Sequence, residues 1–286
     1  MLALSRGGDQ LIVAPEHGGS IVGWTRQGTH LLRRPSPAAV LLGHPGAMGC
    51  FPLVPFCNRI AFRRFNWNGQ AYDLAANFGD HPHAIHGVGW QRPWVTEEVS
   101  VDSVTLSLHH DATATTGWPF AFEARLTYRL TGDGMTIRIE AVNLHSAPAP
   151  MGLGAHPYFP RPTGATIAFQ ADGVWMNRDA LPVTHTPIPA DWDHGHGRAT
   201  DHEPLDNCFT GWRGEARLPG MRIGADPVMR NLQVFTPEGA DFFCVEPVSH
   251  APDAINRPDQ PGMTVLAPGQ TMAGSMTFEP TDSARS

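Results

Sequence analysis

The stretch Phe122-Glu-Ala-Arg-Leu-Thr-Tyr-Arg-Leu130, the turn Thr131-Gly-Asp-Gly134 and the run Met135-Thr-Ile-Arg-Ile-Glu-Ala141 decide the fold. Phe122, Ala124, Leu126, Tyr128 and Leu130 fall on one side of an extended chain, and Glu123, Arg125, Thr127 and Arg129 fall on the other. After the turn, Met135, Ile137, Ile139 and Ala141 repeat the pattern. Upstream, Val104-Thr-Leu-Ser-Leu108 does the same with hydroxyls. Period-2 alternation is the signature of a strand with one buried face. Three such segments in succession read as an antiparallel meander with one face solvated.

Working outward, the same reading predicts strands at Gln10–Ala14, Ala61–Trp67, Thr166–Gln170, Leu232–Thr236, Phe242–Glu246 and Met272–Phe278. Gly and Pro, 30 and 27 in number, punctuate the whole chain and leave room only for a few short helices. Many closely spaced strands without a long helical stripe predict an all-β protein, a large antiparallel β-sandwich, rather than a βαβ fold. At 286 residues the chain can bury a large core without disulfides or metals. Neither repeat nor linker divides it, so residues 1–286 are expected to be a single domain. The Pro-, His- and Asp-rich stretch from Leu181 to Asp206 is expected to be a long loop, and Thr281 to Ser286 a frayed tail.

Composition removes several kinds of chemistry. All 20 basic residues are arginine, so no lysine is present for a Schiff base or a Walker-type phosphate loop. The net charge of −7 gives no reason to expect nucleic acid or an anionic membrane as partner. Cys50, Cys57, Cys208 and Cys244 contain no C-x-x-C pair and read as reduced, buried thiols. No signal-length or membrane-length apolar run occurs, so a cytoplasmic protein, monomeric or weakly dimeric, is expected.

Five segments concentrate titratable groups: Cys57-Asn-Arg-Ile60, His83-Ala-Ile-His-Gly87, Gly154-Ala-His-Pro-Tyr-Phe159, Leu205-Asp-Asn-Cys-Phe209 and Cys244-Val-Glu-Pro247. Each has a bland reading: a surface arginine at 59, a turn histidine at 86, a strand end at His156 before its proline, a turn cap at Asp206. For Glu246 it is a structural carboxylate bonded to backbone amides, but this residue is harder to dismiss, because it follows the apolar run Phe242-Phe-Cys-Val245. A desolvated carboxylate there has a raised pKa and can exchange protons near neutrality.

In order and context the five segments resemble the aldose 1-epimerase (galactose mutarotase-like) family. Asn58-Arg-Ile60, the run Phe62 to Trp67, His86-Gly87 and Trp94 match its first half. His156 to Phe159, Asp206 to Phe209, Glu246, Pro252-Asp-Ala-Ile-Asn256 and Leu266-Ala-Pro-Gly269 match the rest. The resemblance spans roughly residues 50 to 280. It implies a galactose mutarotase-like supersandwich that interconverts the anomers of a free aldose without cofactor or metal. It further implies Glu246 as the base that takes the anomeric proton and a protonated His156 as the acid on the ring oxygen. Asn58, Arg59, His86 and Asp206 would bind the sugar, with Tyr158 at the pocket border. Trp90 and Trp94 read first as core, with a sugar-facing role as the alternative. Pro160-Arg161 stands where many family members have Asn and Leu, which leaves the choice of aldose open.

Three rivals stand beside this reading. His81-x-His-x-x-His86 and Asp191-Trp-Asp-His-Gly-His196 have the look of metal ligands. A non-catalytic carbohydrate-binding protein could use the same fold. A hexose-6-phosphate 1-epimerase would need a phosphate clamp, for which Arg33-Arg34 or Arg63-Arg64 are the candidates.

Overall fold

A computed structural model describes residues 1–112 and 117–281 of the chain. The expected tail beyond Thr281 lies outside the described residues. The predicted meander forms as read: Ser103–His110, Phe122–Leu130 and Met135–Asn143 pair antiparallel in continuous register, with Leu126 opposite both Leu106 and Ile139. Along Phe122–Leu130 every second residue is buried, because that face of the sheet is turned inward.

Two large antiparallel sheets carry the architecture. The meander belongs to a nine-stranded sheet that continues through Thr271–Pro280, Met221–Ala225 and Glu215–Leu218. The other sheet has eleven strands. At its centre lie, in spatial order, Cys50–Leu53, Gly154–Pro160, Phe242–Val248, Asn231–Phe235 and Asp206–Thr210. The large antiparallel β-sandwich expected from the sequence is thus the fold, with one six-residue α-helix, Pro37–Leu42, and five single 3₁₀ turns among the described residues. No described helix is long and apolar enough to cross a membrane.

The five central strands are buried on both faces, which is why they show little alternation in sequence. Their inner face, with Ala155, Phe159, Phe243, Val245, Leu232, Val234 and Phe209, joins the meander's apolar face in one core. Tyr128 ties the layers together across that core, its hydroxyl donating to the Gly19 carbonyl at 2.7 Å. The outer face carries a smaller cluster, with Phe51, Leu53, Tyr158, Cys244 and Val248. It is this outer face that holds the polar residues described below. All four cysteines are free and buried, as expected.

Two expected elements differ. Ala61–Trp67 is not one strand: Ala61–Arg63 is a 3₁₀ turn with Phe62 and Arg63 at φ 49° and 60°, and the strand begins at Arg64. Side chains take the backbone donors that a ladder would need, Ala61 N–H going to Asp253 at 2.9 Å and Phe62 N–H to His83 Nδ1 at 3.0 Å. The stretch from Leu181 to Asp206 is not one long loop either, since it contains the strands Leu181–Thr186 and Arg198–Ala199 and a 3₁₀ turn. Leu181–Thr186 is an edge strand, the place in a sheet that tolerates Pro182.

Several buried histidines serve the fold as neutral groups. His250 Nε2 accepts the Cys57 N–H at 2.9 Å while its Nδ1 donates to the Ala251 carbonyl at 2.8 Å, which fixes the tautomer and anchors the Asn58–Arg59 segment. His194 stacks on Phe169 with ring centroids 4.3 Å apart. Burial lowers both to about 4 from the usual 6.5. The unfolded chain therefore binds more protons than the folded one between those values, and stability is lost as pH falls from about 6.5 toward 4. The slope approaches about 1.4 kcal/mol per pH unit for each such histidine. Urea denaturation at a series of pH values should show this loss, and His194→Phe should shallow it by about one proton. Stability that is level between about pH 7 and 5 would contradict the assignment.

Candidate active site

Strand register builds the site. Gly154 pairs with Val248 and Tyr158 with Cys244, so His156 and Glu246 face each other across adjacent antiparallel strands on the outer face. Phe51 is the neighbour of His156 on the other side, and Gln233 is the neighbour of Glu246. A second row, two residues along, runs Tyr158, Cys244, Phe235 and Asp206. Four expected residues thus arrive at one place from segments far apart in sequence. His156 does not end a strand as its Pro157 suggested; it sits inside Gly154–Pro160.

Loops bring the rest. Asn58 and His86 both have positive φ, 54° and 60°, and the Asn58 N–H donates to His86 Nδ1 at 3.2 Å. His86 therefore keeps its proton on Nε2 and is a neutral donor; burial, reinforced by His156 and Arg59, lowers its pKa well below the usual value. Gly87 follows at φ 75°, and a Cβ there would meet the Val54 carbonyl oxygen at 2.2 Å, so only glycine lets this loop approach the sheet. Arg59 is no surface arginine. Its guanidinium donates to Asn58 Oδ1 at 3.2 Å and to Asp206 Oδ2 at 2.9 Å.

All seven expected residues line one cavity of about 320 Å³: Glu246, His156, Asn58, Arg59, His86, Tyr158 and Asp206. At its floor, His156 Nε2 lies 3.4 Å from Glu246 Oε1, with side chains 8% and 2% exposed. Glu246 Oε2 is buried without a hydrogen-bond partner. The imidazole is packed among rings. Tyr158 stacks on it at 4.6 Å, Phe51 lies against it at 4.7 Å and 6.2 Å from Tyr158, and Trp90 stacks on Phe51 at 5.3 Å. The Arg33 guanidinium lies 3.6 Å over the Tyr158 ring.

Burial sets the electrostatics. It raises the Glu246 pKa well above the usual carboxylate value; Asp206 adds to the rise and Arg59 opposes it. Burial likewise lowers His156 to about 3, helped by Arg33 and Arg59. Burial thus pushes both groups toward their neutral forms, because separating charge in so dry a site costs more than the attraction returns. The pair titrates as a unit.

Gln233 and, apart from Trp90, the apolar wall were not legible in the sequence. Gln233, 1% exposed, donates to Asp206 Oδ1 at 2.7 Å and so holds the carboxylate that Arg59 grips from the other side. The wall is formed by Phe51, Phe78, Ile85, Trp90 and Phe235, with His44 at its edge. Trp90 lines the cavity but is 1% exposed, and Trp94 is core. Among the described residues, neither His81-x-His-x-x-His86 nor the segment 191–196 gathers three ligand atoms around one point. His83 and His194 are engaged by backbone instead. Nor does a phosphate clamp form: Arg33 donates to the Gly46 and Met48 carbonyls, and Arg64 pairs with Asp73 in solvent.

Comparison with known proteins agrees with this geometry. The aldose 1-epimerase family model matches residues 1–279. The Escherichia coli K12 protein YphB is 32% identical over 96% of this chain and 97% of its own. An aldose 1-epimerase from Haemophilus influenzae is 32% identical over 36% of this chain and 30% of its own. The crystal structure of a candidate aldose 1-epimerase from Escherichia coli K12 superposes with TM-score 0.87 at 32% identity, covering 97% of each chain. A galactose mutarotase-like protein from Clostridium acetobutylicum, 19% identical, shares the fold with TM-score 0.85 over 98% of this chain and 95% of its own. The chain belongs to the aldose 1-epimerase family.

Proposed function

We propose that this protein is a mutarotase that interconverts the α- and β-anomers of a free, unphosphorylated aldose. The single observation that carries the reading is the buried His156–Glu246 pair, 3.4 Å apart, at the floor of a cavity of about 320 Å³. That volume is near the lower end for ligand pockets, about 300 to 1,000 Å³, and suits one sugar ring better than an oligosaccharide. Recognition alone does not require a desolvated acid–base pair.

Ring opening needs one group to accept the anomeric O1 proton and another to protonate the ring oxygen. A pair with one proton between two sites has one empty acceptor and one loaded donor. Glu246 acts as base toward O1 and His156 as acid toward the ring oxygen once the shared proton has crossed to the imidazole. A bound sugar favours that transfer by bringing hydroxyl dipoles to a site that otherwise offers the charges little solvation. Rotation about C1–C2 of the open aldehyde and closure in the reverse sense give the other anomer and restore the pair.

The remaining groups orient the ring. His86 offers an Nε2–H, Asp206 accepts hydroxyl protons, and Asn58 and Arg59 hold its edge. The aromatic wall covers the apolar C–H face. A phosphorylated sugar fits poorly, because Arg59, the one guanidinium in the cavity among the described residues, is already paired with Asp206 and two carboxyl groups face the same space.

Glu246→Gln and His156→Asn should each slow anomer exchange at least ~10²-fold, the scale of positioned acid–base catalysis. Polarimetry of freshly dissolved galactose, glucose, xylose, arabinose and fucose provides the assay, and near-wild-type rates in either variant would overturn the roles. The pH dependence follows from the pair. With His156 lowered to about 3, the one-proton state persists on the acid side, so kcat/KM should hold from about pH 7 to about pH 5 and fall only on the alkaline side, as Glu246 loses the proton. A decline centred near the ordinary imidazole value of about 6.5 as pH drops would refute the proton assignment.

A further inference from the structure

Cys244 has no part in the chemistry above, yet it lies two residues before Glu246 on the same face of the strand, directly opposite Tyr158. Ligand atoms of His156, Cys244 and Glu246 all fall within 4.8 Å of one another, and all three residues are buried. Among the described residues no other such grouping of histidine, cysteine and carboxylate side chains occurs, so Cys50, Cys57 and Cys208 do not share the property. An independent feature points to an electrophilic guest. Glu246 Oε2 is 2% exposed at the residue level and has no hydrogen-bond partner, a costly state for a buried acceptor.

We propose that His156, Cys244 and Glu246 form a capture site for a thiophilic divalent cation of the Zn²⁺ type, which inactivates the enzyme by occupying its acid–base pair. The inhibitory consequence rests on the catalytic reading of that pair; the metal site itself does not. One imidazole nitrogen, one thiolate and one carboxylate are the donor set of a borderline-soft ion. Mg²⁺ and Ca²⁺, which want about six to eight oxygen ligands, are not served. Charge balances in a dry site: the cation displaces the thiol proton of Cys244 and the proton held by Glu246, and two anionic ligands with a neutral imidazole neutralise it. Burial keeps the free thiol protonated, but a coordinated thiol loses its proton because the ion's own charge outweighs the desolvation cost. His156 and Glu246 line the cavity, so an ion entering it meets two of the three ligands, with Cys244 buried behind them.

The test uses the full-length protein and the metals alone. Co²⁺ should bind at one per chain with a thiolate-to-metal charge-transfer absorption, Zn²⁺ should erase that band, and Mg²⁺ should leave it unchanged. Zn²⁺ should also abolish mutarotation, and a chelator should restore it. In Cys244→Ser and Cys244→Ala the band should vanish and the Zn²⁺ needed for half-inhibition should rise at least ~10-fold. Metal-free mutarotation should persist in at least one of these variants, which also shows that it folds. Absence of the band in the wild type, or unchanged Zn²⁺ sensitivity in both variants, would overturn the site. A protein that binds Co²⁺ in this way but lacks mutarotation would leave the site standing and refute the function.

Discussion

One strand register governs the molecule: Gly154–Pro160 lies against Phe242–Val248 so that His156 faces Glu246. Side chains alternate along a strand, so a slip of one residue would turn either group into the sandwich core. There, an unpaired carboxyl or imidazole would meet only apolar atoms. The register is held from the inner face, where Ala155, Phe159, Phe243 and Val245 pack into the core shared with the nine-stranded sheet. Core packing and site geometry are two faces of the same pair of strands.

The second constraint is dryness. Tyr158 and Phe51 pack around the His156 imidazole, backed by Arg33 over Tyr158 and Trp90 on Phe51, and together they fix and bury it. Burial pushes Glu246 and His156 toward their neutral forms, which leaves the pair with one proton and two places for it. Reversible acid–base chemistry on one carbon needs such a poised pair. Arg59, Asp206 and Gln233 form a linked set beside it, in which the guanidinium and the amide grip opposite oxygens of one carboxylate.

Legibility in the sequence followed solvent exposure. The meander could be read to the residue because solvent marks its outer face, and Phe122–Leu130 displays the resulting alternation. Glu246 could be suspected because a carboxylate directly after Phe242-Phe-Cys-Val245 must be buried. Gln233 could not: Asn231–Phe235 is buried on both faces, so nothing distinguished its polar member from a strand-edge residue. The turn at Ala61–Arg63 was hidden because its cause, backbone donors captured by Asp253 and His83, comes from distant segments. The push of both groups toward their neutral forms was hidden for a similar reason, since it depends on how deeply they are buried and on Asp206 and Arg33 nearby.

The central claim is that His156 and Glu246 work as one unit through a shared proton. A double-mutant cycle on kcat/KM tests it most directly, with Glu246→Gln, His156→Asn and the combined variant compared in the same anomer-exchange assay. Groups acting as a unit predict a double variant about as slow as the slower single variant. Losses that multiply, so that the double variant falls by the product of the two single effects, would mean that the residues act independently and would contradict the account.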